Sequence, residues 1–379
     1  MRILVLGAGF GGLELASSLA DEFGSELDVT LIDKGSGFVF GFSKLDVMFG
    51  KRRPDEVVHP YADLARPGLR FVQTTITAID PVDKRVETDA GTFEGDLMVV
   101  ALGADLHPGD TPGLVEAGSE FYTVAGAFAL RDTIDRFPGG RVVVGVTSTP
   151  FKCPPAPSET VLLMHDWLVH RGSRDRSTIS LILPFGVPIP PSPDASAALI
   201  EAFAERGIEW LPGRMVTGLD PERKVALCSD GSDVPFDLFL GVPVHRAPVV
   251  VEDSPLAVDG WIPVDPLTLE TSFPDVYAVG DVTSVGTPKA GVFSEGQASV
   301  VASQIIARLR GSSSDTYDGS GICYLEFGDE RVGKVNVTFR SGEAPVGGLE
   351  GPSRAIMEEK GEFGASRIQR WFGRPWVSS

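Results

Sequence analysis

The stretch from Arg2 to Asp33 leaves this chain little choice in how it begins to fold. Ile3-Leu4-Val5-Leu6 is an unbroken apolar run, the pattern of a strand buried on both faces in a parallel sheet. Gly7-Ala8-Gly9-Phe10-Gly11-Gly12 follows at once, then a helical stretch from Leu13 to Phe23. A second strand, Asp28-Val29-Thr30-Leu31-Ile32-Asp33, comes next. In this GxGxxG spacing Gly7 permits the tight turn, Gly9 lets the backbone approach a pyrophosphate, and Gly12 allows helix and strand to lie close. Phe10 and Gly11 complete the turn, and both join the candidate cofactor-binding set. Asp33 lies 21 residues after Gly12, where an acid can hydrogen-bond an adenosine ribose, and Lys34 beside it is included. A glycine motif alone is weak evidence. With both strands, the helix and the acid in place it predicts a Rossmann-like unit that binds a dinucleotide.

Two later segments indicate which dinucleotide. Residues 96–104, DLMVVALGA, read as a buried strand ending at Gly103. Residues 271–281, TSFPDVYAVGD, read as another, ending in Gly280-Asp281. Both resemble the strand-and-turn signatures of flavoproteins with two dinucleotide-binding domains. The resemblance implies FAD, with Asp281 on its ribityl chain and Gly103 and Gly280 in the adjoining turns. The FAD domain of that family is discontinuous, which implies residues 1–105 and 255–315 for it. Residues 106–254 would then form the inserted, degenerate NAD(P)-binding-like domain, and 316–379 a small C-terminal α+β domain. The expected fold class is thus α/β, with two Rossmann-like domains and that third, smaller one.

The insert carries its own strand, Arg141-Val142-Val143-Val144-Gly145-Val146, where a second nucleotide motif would start. A GxGxxG read from Gly145 needs glycine at 147 and 150, but the chain has Thr147 and Pro150. A thiol follows in its stead, in Phe151-Lys152-Cys153-Pro154-Pro155-Ala156-Pro157. Prolines suit a helix start, so a helix is expected from about 157 to 170. The positive end of its dipole, with Lys152 adjacent, predicts a lowered thiol pKa at Cys153. A lone cysteine is usually a small buried hydrophobe; the lost nucleotide motif shifts the balance here toward a reactive thiol. Further along, a strand over 178–183, a helix over about 195–206 and a hairpin turning at Asp230-Gly231 are expected. The proline-rich loop 184–193 reads equally as a rigid connector or a cover for the site. The C-terminal region shows a hairpin, 322–327 and 335–339 around Gly328-Asp329, and then a mixed tail.

Composition narrows the partners. A net charge of −19 repels nucleic acid and anionic lipid alike. No apolar run approaches the roughly 18 residues that span a bilayer, and the first strand begins at Arg2, so no signal or transit peptide is expected. A cytoplasmic home follows as the expectation. In that compartment three cysteines favour catalytic over structural disulfides, and their spacing predicts no metal site.

The resemblance sharpens at three places. Cys153-Pro154-Pro155-Ala156-Pro157 with Ser158-Glu159 resembles the redox-cysteine segment of flavocytochrome c sulfide dehydrogenase flavoproteins and sulfide:quinone oxidoreductases. Gly321-Ile322-Cys323-Tyr324 resembles the segment bearing their second active cysteine. Residues 287–298, TPKAGVFSEGQA, resemble their Pro-Lys-Ala-Gly segment beside the flavin. This implies that Cys153 and Cys323, 170 residues apart, meet beside the flavin, Cys153 bearing the substrate sulfur and Cys323 passing electrons to FAD. Lys289 and the helix starting near Ser294 would stabilise reduced flavin, and Glu159 would handle protons near the thiol. Cys228 matches no motif and reads as structural.

Two features depart from the family. Residues 104–150 hold no third cysteine, and Phe40-Gly41-Phe42-Ser43-Lys44 holds none that could attach FAD, so noncovalent FAD and a two-cysteine relay are expected. The leading reading is oxidation of a small sulfur compound with quinone or another acceptor. An NAD(P)H:acceptor reductase akin to type II NADH dehydrogenases, and a flavin-bearing redox sensor or binding partner, stay open beside it. Arg367, Arg370 and Arg374 with Trp371, Phe372 and Trp376 offer two readings of the tail. It could contact the inner face of the membrane peripherally, or pack on the protein with its arginines paired to carboxylates.

Overall fold

In the computed structural model, which describes residues 1–376, two parallel sheets and one antiparallel sheet carry the architecture. The first sheet has the order Val276–Ala278, Leu97–Val100, Arg2–Leu6, Asp28–Asp33, Leu69–Gln73, all parallel. Its inner strands are apolar on both faces because both are covered, one by the helices Phe10–Phe23 and Gly291–Arg310 and the other by a three-stranded antiparallel sheet over 76–94 with Ala247 and Val251. The helix Phe10–Phe23 starts directly from the glycine turn. Gly7 has φ +101°, and a Cβ there would lie 2.4 Å from the carbonyl oxygen of Ala101. A Cβ on Gly12 would lie 1.8 Å from the carbonyl of Gly7. Only glycine fits either place.

The second sheet runs Ser119–Glu120, Leu238–Val242, Arg141–Val146, Thr178–Ile182, Ile208–Leu211, again parallel. The fold is thus the α/β class expected from the sequence. The hairpin at Asp230-Gly231 forms between Val225–Cys228 and Asp233–Pro235, and Cys228 is buried in it. The third sheet is antiparallel, Ser320–Gly328, Arg331–Thr338 and Val346–Ser353, followed by the helix Arg354–Phe372.

Three segments differ from the sequence reading. The stretch 271–281 holds only a short edge strand, Val276–Ala278, which pairs in the sheet with Leu97–Val100 and bridges Glu270 through Tyr277. The helix expected near Ser294 begins at Gly291 and runs to Arg310. The tail is not mixed but a strand and a 19-residue helix capped by Ser353, whose hydroxyl accepts the N–H of Ile356. Glycines at 347, 348, 351, 361 and 364 obscure both elements in the sequence.

The tail aromatics enter the core of the first sheet. Trp371 is fully buried, stacks on Phe40, meets Phe10 edge-on, and its indole N–H donates to Glu14 at 2.9 Å. Arg370 pairs with Glu14 at 2.7 Å, Arg367 with Glu295 at 3.1 Å and Arg374 with Asp63 at 3.5 Å. The packed reading of these residues is the one the structure adopts. No helix among the described residues is long and apolar enough to cross a membrane.

Candidate active site

Cys153 sits between the Arg141–Val146 strand and the helix Ala156–His170, with φ +49°. Its N–H donates to the carbonyl of Lys289 at 2.8 Å and its carbonyl accepts Ala156 N–H at 2.9 Å, which holds this strained turn in place. Cys323 lies on the Ser320–Gly328 strand, packed against the same core as Leu325 and Phe327. That strand packs on the Cys153 helix. Both cysteines are free thiols.

The thiol chemistry differs from the sequence expectation. Although Cys153 keeps exposed surface, dense protein around it pushes its thiol well up, and the charges of Glu159 and Cys323 push the same way. Lys44 opposes them. Lys152 does not serve the thiol, because its ammonium donates to the carbonyl of Ala104 at 2.8 Å. Burial likewise raises Cys323 to about 12, with Glu159 adding to it. Desolvation by the surrounding core outweighs the helix dipole, so both groups rest as thiols.

Glu159 is buried on the helix that follows Cys153, and burial raises its carboxyl to about 7. Its Oε1 accepts the N–H of Glu326 at 3.0 Å. Glu326 in turn pairs with the buried Lys360 of the C-terminal helix. Lys289 is buried too, with its ammonium 3.3 Å from the Trp261 ring centroid and donating to the carbonyls of Asp281 and Thr283. Desolvation lowers it to about 8. It is therefore not an exposed loop lysine.

The residues chosen for FAD fit that group. Asp281 has a buried Oδ1 with no partner, facing the charges of Lys152, Lys289 and Lys44, and burial raises its pKa. A Cβ on Gly9 or on Gly103 would meet nothing within 4 Å, so the backbone there is open to a ligand's approach. Gly280 is held by its N–H to Gln297 at 2.6 Å. A Cβ on Gly11 would press on Val279 at 2.9 Å, giving it a packing role between helix and strand. The Phe10 ring turns away to pack edge-on against Trp371, 5.7 Å between centroids. Asp33 already accepts N–H groups from Ala8 and Gly35, each at 2.7 Å, while Lys34 reaches Asp105 at 3.6 Å. Asp33 thus braces the turn, with second lone pairs left for a ribose.

Sequence reasoning passed over four residues. Lys44 donates to the carbonyl of Tyr122, whose hydroxyl reaches the carbonyl of Cys153 at 3.4 Å. Burial lowers Lys44 to about 8. Glu326 and Lys360 join Lys44 and Tyr122 in this set. A charged residue within an apolar strand was the available signal for Glu326; Lys360 sits among other charged residues and offered none.

Open backbone at Gly9 and Gly103 and the unpartnered Asp281 Oδ1 are features of a flavoprotein, and the chain's sequence agrees. It belongs to the pyridine nucleotide-disulphide oxidoreductase family, whose pattern matches residues 1–148 and 187–304. It is an FAD-dependent oxidoreductase. Among particular relatives, it is similar to the sulfide-quinone reductase of Aquifex aeolicus, 27% identical over 358 residues, covering 87% of this chain and 82% of that one. The solved structure of the Aquifex enzyme superposes with a TM-score of 0.84 at 21% identity, covering 98% of this chain and 92% of that one. The mitochondrial sulfide:quinone oxidoreductase of Mus musculus is 24% identical over 347 residues, 87% of this chain and 76% of that protein. A type II NADH:quinone oxidoreductase of Staphylococcus aureus is 34% identical over 104 residues, 27% of this chain and 26% of that protein.

Proposed function

We propose that this enzyme oxidises sulfide or a related small sulfur compound through Cys153 and Cys323 and delivers the electrons to quinone. The observation that carries the proposal is that two free thiols, 170 residues apart in the chain, lie at the start of a helix and on a strand that pack against each other, with the Cys153 N–H bonded to the carbonyl of Lys289. In the oxidised state the two cysteines would be joined. Hydrosulfide attacks the Cys153 sulfur, the S–S bond breaks, Cys323 leaves as the thiolate and Cys153 carries the persulfide. Bound FAD supplies a two-electron acceptor for this pair. Glu159 takes the proton of the entering sulfur compound, and Lys289 sets positive charge beside the flavin site.

Alternation along the Cys323 strand supports a separate place for the acceptor. Ile322 and Tyr324 face opposite to Cys323, onto a groove of about 610 Å³ that Val292 and Phe363 also line. Division of the chain into 1–105 with 255–315, 106–254 and 316–379 belongs to the same proposal. So do a cytoplasmic setting and a peripheral contact of the C-terminal tail with the inner face of the membrane.

The nicotinamide alternative is disfavoured by the turn after Val146. The Thr147 hydroxyl donates to Val242 at 2.9 Å and Pro150 has no N–H, so a phosphate cradle lacks its donors. Anaerobic titration of the yellow protein with sulfide, NADH and NADPH tests the proposal. Bleaching by sulfide is expected; fast stoichiometric bleaching by either nucleotide would overturn it.

A further inference from the structure

Four charged side chains from four elements converge in the interior: Asp46 of the helix Gly41–Met48, Glu159, Glu326 and Lys360. None is more than 5% exposed. Three carboxylates lie around the Lys360 ammonium there, and ionising every one of them in a buried site is costly. The ammonium pairs with Glu326, not Glu159, and leans on the Phe42 ring at 4.8 Å. Glu159 receives only the Glu326 backbone N–H, so it is the carboxyl best placed to keep a proton.

We propose that the Glu326–Lys360 pair is a positioning device that sets the protonation of Glu159 and holds its carboxyl toward the two thiols. Lys360 and Glu326 touch neither thiol; they act through Glu159. The step they serve moves one proton, from an entering hydrogen sulfide or a cysteine thiol to the Glu159 carboxylate, and no electrons. This rests on the reading of Glu159 as the proton acceptor at the thiol pair. The groups facing Glu159 are Cys153, Cys323 and Tyr122 on the thiol side, and Glu326, Lys360 and Asp46 behind it; Lys51 acts on Glu326. Lys360 favours the ionised form of Glu159, while Glu326 and Asp46 oppose it. Removing the cation and removing the neighbouring anion must then move Glu159 in opposite directions.

Infrared difference spectra of the purified holoprotein across pH, without sulfide, read this directly. The protonated-carboxyl band that disappears in Glu159→Gln reports the Glu159 midpoint. Lys360→Met should raise that midpoint by about one pH unit and Glu326→Gln should lower it by a similar amount, while Lys360→Arg keeps it in place. The Gln variant retains the backbone donor at 326, so if Lys360→Met does not fold, its downward shift alone carries the test. Midpoints that stay put, or that move the same way in both variants, would overturn the proposal. Because no sulfide is present, failure of the sulfide reading leaves this result standing, and the reverse is also true.

Discussion

The Glu159 carboxylate accepts the backbone N–H of Glu326 at 3.0 Å, across 167 residues of chain. This one bond ties the helix after Cys153 to the strand that bears Cys323. The same carboxyl titrates near neutrality, and its charge adds to the burial that keeps both thiols protonated.

That carboxyl should leave a signature in stability. Its folded pKa of about 7 lies above the ordinary carboxylate range, so the native state holds its proton to higher pH than the unfolded chain does. Its contribution is full below the unfolded pKa and is lost as pH rises through the folded one. Denaturant unfolding of the wild type and Glu159→Gln between about pH 4 and 8 should show the wild type losing about 2–3 kcal/mol relative to the variant. A constant difference across that range would contradict the raised pKa.

The thiols should act as a unit. Cys153→Ser and Cys323→Ser are each expected to abolish sulfide-driven flavin reduction with FAD retained, and their effects should be non-additive. Cys228→Ser should change little, since Cys228 lies buried in the Val225–Cys228 strand of a separate three-stranded sheet. Stopped-flow reduction by sulfide measures this. Near-normal rates in either active-thiol variant would leave the two-cysteine relay without support.

FAD should come away intact when the protein is denatured by acid or heat. Residues 38–44 contain no cysteine to tether it, and the unpartnered Asp281 Oδ1 and the open backbone at Gly9 offer polar contacts rather than a covalent link. Flavin that stays with the precipitated polypeptide would refute this.

The tail is expected to be structural. Trp371→Ala removes a fully buried ring and leaves Glu14 without its indole donor, which should cost about 3–5 kcal/mol. Thermal unfolding checks the size. Val346→Ala, at a residue 72% exposed, should be close to neutral in the same assay.

Much of this protein was decided locally. The sequence from Arg2 to Asp33 determined the first βαβ unit because glycine's backbone freedom, apolar runs and helix periodicity act over a few residues. Thr147 and Pro150 likewise marked the altered second turn by themselves. The C-terminal helix escaped notice because its glycines mask its propensity, and packing of Trp371 and Ile368 into the first sheet's core stabilises it instead. The thiol pKa was misjudged for a related reason. A helix dipole is a property of the segment, whereas desolvation belongs to whatever surrounds the segment, and here burial is the larger effect. The convergence of Asp46, Glu159, Glu326 and Lys360 was decided by tertiary structure alone, because charges brought together from four distant elements leave no pattern within any one of them.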